Sequence, residues 1–167
     1  MRGSETGQPV CQPDCWSRVD TGSPYLPGTP DVTVFASGHC WRGVHVDMGN
    51  PHAVAFLDDL SLAGPLRVPP QTAPHGAYPE GVTVEFALRV SRRHLSLRIH
   101  ERGVGETHAC GTGACAAVAA LRHLDRHTDA ATYIVDVPGG RLGVTVHPDG
   151  TMTLEGPALI VAQGVIG

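Results

Sequence analysis

The sequence predicts an α+β fold: a mixed or antiparallel sheet wrapped around one central, buried helix. Two observations carry this. From Val32 onward, apolar and polar residues alternate with period two in several segments, the pattern of strands with one buried face. One segment, about Thr112 to His127, reads as a helix, and its residues Ala114, Ala116, Ala117, Val118, Ala119, Ala120 and Leu121 are apolar on every side. A helix apolar all round is buried, and small alanines let a sheet approach it closely. The 21 Gly and 14 Pro suit many short strands joined by tight turns.

Taken in order, residues 1–31 read as a disordered or linker-like tail. They hold Pro9, Pro13, Pro24, Pro27 and Pro30 and few core-type residues, too little apolar surface to offset the entropy of ordering. Cys11 and Cys15 lie inside it; a metal site would need two more ligands at suitable spacing, so they read as incidental thiols. The folded domain is expected over 32–167. Val44, Val46 and Met48 alternate with His45 and Asp47. Val82, Val84 and Phe86 alternate with Thr83 and Glu85, and Leu95, Leu97 and Ile99 with Ser96, Arg98 and His100. Residues 58–80, rich in Pro and Gly, read as a long connection. After the helix, strands are expected at Tyr133–Val137, Leu142–His147, Thr151–Glu155 and Leu159–Ala162, with turns at Pro138-Gly-Gly and Pro148-Asp-Gly.

A length of 167 residues holds one ordinary domain with a real core. A net charge of −4, with no cluster of basic residues, offers nucleic acid no footprint. No apolar run approaches the ~20 residues that span a bilayer, and the N-terminus has no apolar signal core. The five cysteines are odd in number and irregularly spaced, which argues against a disulfide framework and for a reduced, cytoplasmic setting. The histidines other than His52 lack ligand-like spacing, so no metal is expected. The chain contains no Lys, which excludes a Schiff-base lysine of its own. Gly103-Val-Gly105 and Gly111-Thr-Gly113 lack the remainder of any nucleotide-binding fingerprint, and no cofactor is expected.

The run from Glu101 to Cys115, Glu-Arg-Gly-Val-Gly-Glu-Thr-His-Ala-Cys-Gly-Thr-Gly-Ala-Cys, ends a strand, turns through glycines and places Cys110 just ahead of the helix. The first turn of a helix presents unpartnered N–H groups and the positive end of its dipole. Both favour a thiolate, so Cys110 is expected to act as a base or nucleophile near neutral pH. The N–H groups of Gly111 and Thr112 can bind a carboxylate; Thr112 would cap the helix equally well. Cys115, on another face of the helix, reads as core. Glu101 and Arg102 would ordinarily be solvated neighbours, and Asn50 before Pro51 ordinary turn chemistry.

Three segments, in order, resemble the diaminopimelate epimerase family. Val46-Asp-Met-Gly-Asn-Pro-His52-Ala-Val resembles its Gly-Asn-Pro-His segment, Tyr78-Pro-Glu-Gly-Val-Thr-Val-Glu-Phe86 its Pro-Glu-Gly-Val-Asn-Val segment, and the Glu101–Ala114 run its second cysteine motif. The match runs from about residue 42 to the end. Enzymes of this family have two similar domains, each giving one cysteine to a site between them. The first-domain Cys-Gly-Asn-Gly-type motif does not follow Cys11, Cys15 or Cys40, so the chain resembles the C-terminal half.

The resemblance implies the α+β fold already read from the pattern. It also implies cofactor-independent interconversion of LL- and meso-diaminopimelate by two thiols, a step toward lysine and peptidoglycan precursors. It gives Cys110 the role of one acid/base group, with Gly111 and Thr112 holding the carboxylate at the reacting carbon. Glu101 would tune proton transfer, Arg102 grip the distal carboxylate, Asn50 contact substrate and His52 partner a cysteine thiol. Thr83 stands where the family has Asn at the far end of the substrate; it keeps a hydroxyl but lacks the amide's two N–H donors. The implied partners are a small amino-acid substrate and either a second copy in a homodimer or a missing N-terminal half, with neither nucleic acid nor membrane. The alternatives are an incomplete half-domain serving as a binding module, or a racemase or epimerase of another amino acid. Proline racemase-like enzymes share the two-cysteine logic, but their motifs fit less well.

Overall fold

The computed structural model describes residues 16–28 and 32–158. The strands are β1 (Trp16–Gly22), β2 (Val32–Ala36), β3 (His39–Asp47), β4 (Pro51–Phe56), β5 (Gln71–Ala73), β6 (Thr83–Ser91), β7 (His94–Glu101), β8 (Gly105–Thr107), β9 (Ala131–Val137), β10 (Gly140–Val146) and β11 (Met152–Pro157), and the helix is α1 (Gly111–Asp125). Among the described residues they form one mixed sheet in the order β1-β11-β10-β9-β7-β6-β4-β3-β2-β5, with β8 pairing β7. The pairs β4–β6 and β7–β9 are parallel and the others antiparallel.

The expected helix is present and central. Ten consecutive residues, Gly113 to Arg122, are buried, packed against Val46, Val54, Leu95, Leu97, Ile99, Tyr133, Val135 and Val144 of the sheet. Full burial of one such aliphatic side chain contributes about 1.5–3 kcal/mol. The helix stops at Asp125, short of the expected His127, because Arg126 turns left-handed at φ 55° and its N–H caps the carbonyls of Arg122 and His123. Arg122 and His123 also set basic side chains in the last turn, against the negative end of the dipole.

The middle of the sheet is buried on both faces. A second core, of Val32, Val34, Ala53, Ala55, Leu57, Leu66, Val84 and Phe86, lies on the side away from α1. Residues 83–87 of β6 are therefore all buried, where the sequence pattern implies one dry face and one wet one. The connection expected over 58–80 holds a 3-10 turn, Leu60–Ala63, and the short strand β5. The two marked turns are hairpins: residues 138–139 join β9 to β10, and Gly150 N–H donates to His147 C=O at 3.0 Å.

Residues 16–22 depart from the expected tail. They pair with β11 from Trp16↔Pro157 to Gly22↔Met152, and Arg18 Nε donates to Glu155 Oε1 across the pair at 2.7 Å. Six of the seven residues are exposed; main-chain bonding and a charged cross-strand pair hold β1, and neither leaves an apolar signature. The rest of the expected tail, 1–15 and 29–31, and the strand expected at Leu159–Ala162 lie outside the described residues.

Candidate active site

Register brings the candidate residues to one end of the sheet. His52 sits beside Thr83 across the parallel β4–β6 pair. Val84 faces His100 across β6–β7, so Glu101, one residue on, closes the same end. The hairpin β7–β8 (Glu101↔Gly105) then leads the chain to Cys110 and α1. Along β4 and β6, the side-chain alternation puts His52 and Thr83 on the helix side, with Val54 and Ala87.

Cys110 is the N-cap of α1, in extended backbone conformation at φ −138°, ψ 116°. The Gly113 N–H donates to its sulfur at 3.4 Å, and the Thr112 hydroxyl lies 3.5 Å from it. The first intrahelical bond runs from Ala114 N–H to Cys110 C=O. The Gly111 and Thr112 N–H groups precede it, in the place where a helix binds an anion. Burial pushes the Cys110 thiol up; the Thr112 and Gly113 hydrogen bonds pull it part of the way back, and the charges of Glu85 and Glu101 raise it further. The thiolate expected near neutral pH is thus opposed by desolvation and two carboxyl groups, of which Glu85 lies outside the local motif.

Thr83 is buried, and its hydroxyl accepts the Arg102 backbone N–H at 3.3 Å. Arg102 is exposed. Its Nη1 donates to Glu80 C=O at 3.3 Å, and its stem lies against Gly81. With Tyr78 and His100 it lines a separate cleft of about 720 Å³. Asn50 is half-buried just before β4, and its C=O accepts the Met48 N–H at 3.1 Å. Cys115 is fully buried, with the Thr21 hydroxyl 3.4 Å from its sulfur, as core.

Sequence reasoning missed Glu85. It is fully buried, and its Oε1 lies 2.7 Å from His52 Nδ1, itself fully buried. Burial raises Glu85 well above the usual carboxylate range and lowers His52 to about 4. The signal was present as an acidic residue inside an otherwise apolar strand, but alternation assigned it to solvent.

The family model for diaminopimelate epimerase matches residues 44–161. A diaminopimelate epimerase of Streptomyces coelicolor is 51% identical over 151 residues, covering 87% of this chain and 52% of that protein. The chain belongs to the diaminopimelate epimerase family. A second family member, the diaminopimelate epimerase of Moorella thermoacetica, is 38% identical over 88% of this chain and 56% of its own length. The chain therefore spans about half the length of the curated diaminopimelate epimerases it matches. A solved structure described as a predicted epimerase of Pseudomonas aeruginosa superposes with a TM-score of 0.58 at 20% identity, covering 89% of this chain and 59% of that one, which supports the fold. Among the described residues, no helix is long and apolar enough to cross a membrane.

Proposed function

We propose that this chain supplies the Cys110 half of a site that epimerises the α-carbon of diaminopimelate, interconverting the LL and meso forms. The observation that carries the reading is Cys110 at the N-cap of α1, its sulfur accepting the Gly113 N–H and the Gly111 and Thr112 N–H groups in the first turn that follows it. A substrate carboxylate on those N–H groups sets the adjacent α-carbon against the thiol. The Cys110 thiolate takes the α-proton and becomes a thiol; the C–H electron pair stays on the α-carbon and delocalises into the carboxylate. The helix N–H groups stabilise that charge. A second thiol on the opposite face gives its proton to the α-carbon and becomes a thiolate. Inversion requires opposite faces, and the second thiol belongs to another domain or a second copy.

In this reading Glu101 and His52 tune the proton transfers, Asn50 contacts substrate, and Arg102 swings from the Glu80–Gly81 turn to the distal carboxylate. Thr83 contributes at that far end by fixing the Arg102 backbone through its hydroxyl. The test is proton NMR of LL- and meso-diaminopimelate in D2O with the reduced chain. Loss of α-proton signal that disappears in C110A supports the reading. Loss that persists in C110A overturns it. A folded wild-type chain that exchanges nothing favours the incomplete half-domain, or another amino acid as substrate.

A further inference from the structure

His52 and Glu85 form the most deeply buried polar contact at the site, both at 0% exposure with Nδ1 and Oε1 2.7 Å apart. Two lone pairs do not approach so closely, so a hydrogen occupies the contact. The second polar atom of each group, His52 Nε2 and Glu85 Oε2, is buried without a hydrogen-bond partner among the described residues. Glu85 also abuts the first turn of α1. A Cβ on Gly113 would lie 2.7 Å from Glu85 Oε1 and 3.4 Å from the Cys110 sulfur.

Counting charge and donors then constrains the imidazole. Net charge on a pair buried this deeply is costly. A pair of zero net charge has three forms. In one, Glu85 is a neutral acid whose Oε1–H donates to Nδ1 of a neutral imidazole. In another, Glu85 is a carboxylate accepting from Nδ1 of an imidazolium. In the third, the acid hydrogen sits on Oε2 and Oε1 accepts from Nδ1–H of a neutral imidazole. Nε2 carries a hydrogen in the first two. The third leaves Nε2 bare and strands the acid O–H, the stronger donor, on Oε2, which is buried without a partner among the described residues; the first two are favoured.

We propose that Glu85 is a positioning residue for His52: it holds Nδ1 and so keeps Nε2 as an N–H donor. His52 therefore meets an anion at the site, a cysteine thiolate or a substrate carboxylate, as a donor and not as a proton acceptor. This deepens the epimerase reading and rests on it for what His52 meets; the pairing itself belongs to the substrate-free chain. Burial, which pushes Glu85 up and His52 down, favours the form with two neutral groups. A neutral Glu85 also withdraws one of the two charges that oppose ionisation of Cys110.

Long-range ¹H–¹⁵N spectra of the imidazole nitrogens in the full, substrate-free chain near neutral pH test this, with His52 assigned from His52→Gln. The expected wild-type Nε2 is protonated and pyrrole-type. In E85L the fixed tautomer is lost and Nε2 moves toward the pyridine-type position; in E85Q, which can still bond Nδ1, a single tautomer persists. A pyridine-type Nε2 in the wild type, or unchanged His52 nitrogens in E85L, overturns the proposal. If E85L does not fold, the wild-type and E85Q spectra decide it. Where the wild type exchanges α-protons, E85L lowers kcat roughly 10- to 100-fold, with little further loss once His52→Gln is present. Fully additive losses overturn the positioning role. A wild type that exchanges nothing points to the incomplete half-domain or another substrate and leaves the tautomer result to decide the proposal.

Discussion

The Gly113 N–H donates to the Cys110 sulfur at 3.4 Å, so the thiol that defines the candidate site is also the side chain that caps α1. Chemistry and helix initiation share one atom, and a single substitution tests both. C110S keeps an acceptor and C110A does not. C110A is expected to unfold at lower urea concentration than C110S, by about 1 kcal/mol, while neither supports α-proton exchange. Equal stability of the two variants would mean that the sulfur contributes nothing to the helix.

The environment of Cys110 sets how it reacts. With Cys11, Cys15 and Cys40 replaced by Ser, iodoacetamide should report Cys110, since Cys115 is fully buried. The alkylation rate is expected to rise at a pH above the ordinary cysteine range, because burial and the neighbouring carboxyl groups raise the thiol. E101Q removes one of those charges and should move the profile to lower pH. A wild-type profile centred near neutral pH contradicts this.

Gly111 and Gly113 lie two residues apart in the first turn of α1 but face different neighbours. A Cβ at Gly113 would meet Glu85 Oε1 at 2.7 Å, an oxygen already held by His52; at Gly111 it would meet Leu154 Cδ2 at 2.7 Å, the free end of a flexible side chain. Ala is the better helix former by about 1 kcal/mol. At 111 that gain offsets a small Leu154 shift, and G111A is expected near wild-type stability. At 113 displacing the Glu85 carboxyl costs about 1–3 kcal/mol, so G113A is expected to be the less stable variant. Thermal denaturation of the two, side by side, decides the point.

Arg126 ends α1 in the left-handed region at φ 55°. A side chain there costs roughly 1 kcal/mol that Gly avoids. R126G should therefore raise stability by about that amount in urea titration. A loss of stability would show that the Arg126 side chain makes a contribution larger than its backbone strain.

The His52–Glu85 pair sets opposing pH slopes. His52 is lowered from 6.5 to about 4, so its contribution to stability is full above pH 6.5 and is lost as pH falls through 4. Glu85 is raised above 4.5, so its contribution is full below that value and is lost as pH rises through the folded pKa. Between about pH 4.5 and 6.5 the two changes oppose each other. E85Q removes the Glu85 slope, and its stability relative to wild type should fall on acidification across that window. An unchanged difference across the window argues against the pair as drawn.

What the sequence disclosed and what it withheld divide along physical lines. The helix was legible because Ala114 to Leu121 are apolar on every side, and Cys110 because glycines and a helix start surround it. Glu85 was hidden because alternation distinguishes two faces of a strand but not whether the second face is covered. The cover over Glu85 is α1, whose Gly113 lies against its carboxyl and which enters from a segment well beyond β6 in the sequence. β1 was hidden because it is held by pairing with β11 and by Arg18 with Glu155, not by apolar burial. The end of α1 moved because Arg126 took a conformation that Gly or Asn ordinarily advertises.

Pairing of Trp16 with Pro157 joins the first described strand to the last. During synthesis β4, β6 and β7 can assemble while the C-terminal strands are still unmade, but the sheet border beside Thr21 and Cys115 waits for β11. Closing that span carries a large loop entropy that is repaid only at the end. A nascent chain halted before residue 152 would hold the His52–Glu85 strands and α1 yet leave one flank of the helix open. Ribosome-bound chains of increasing length should accordingly gain protease resistance in two steps, the second only after β11 has emerged.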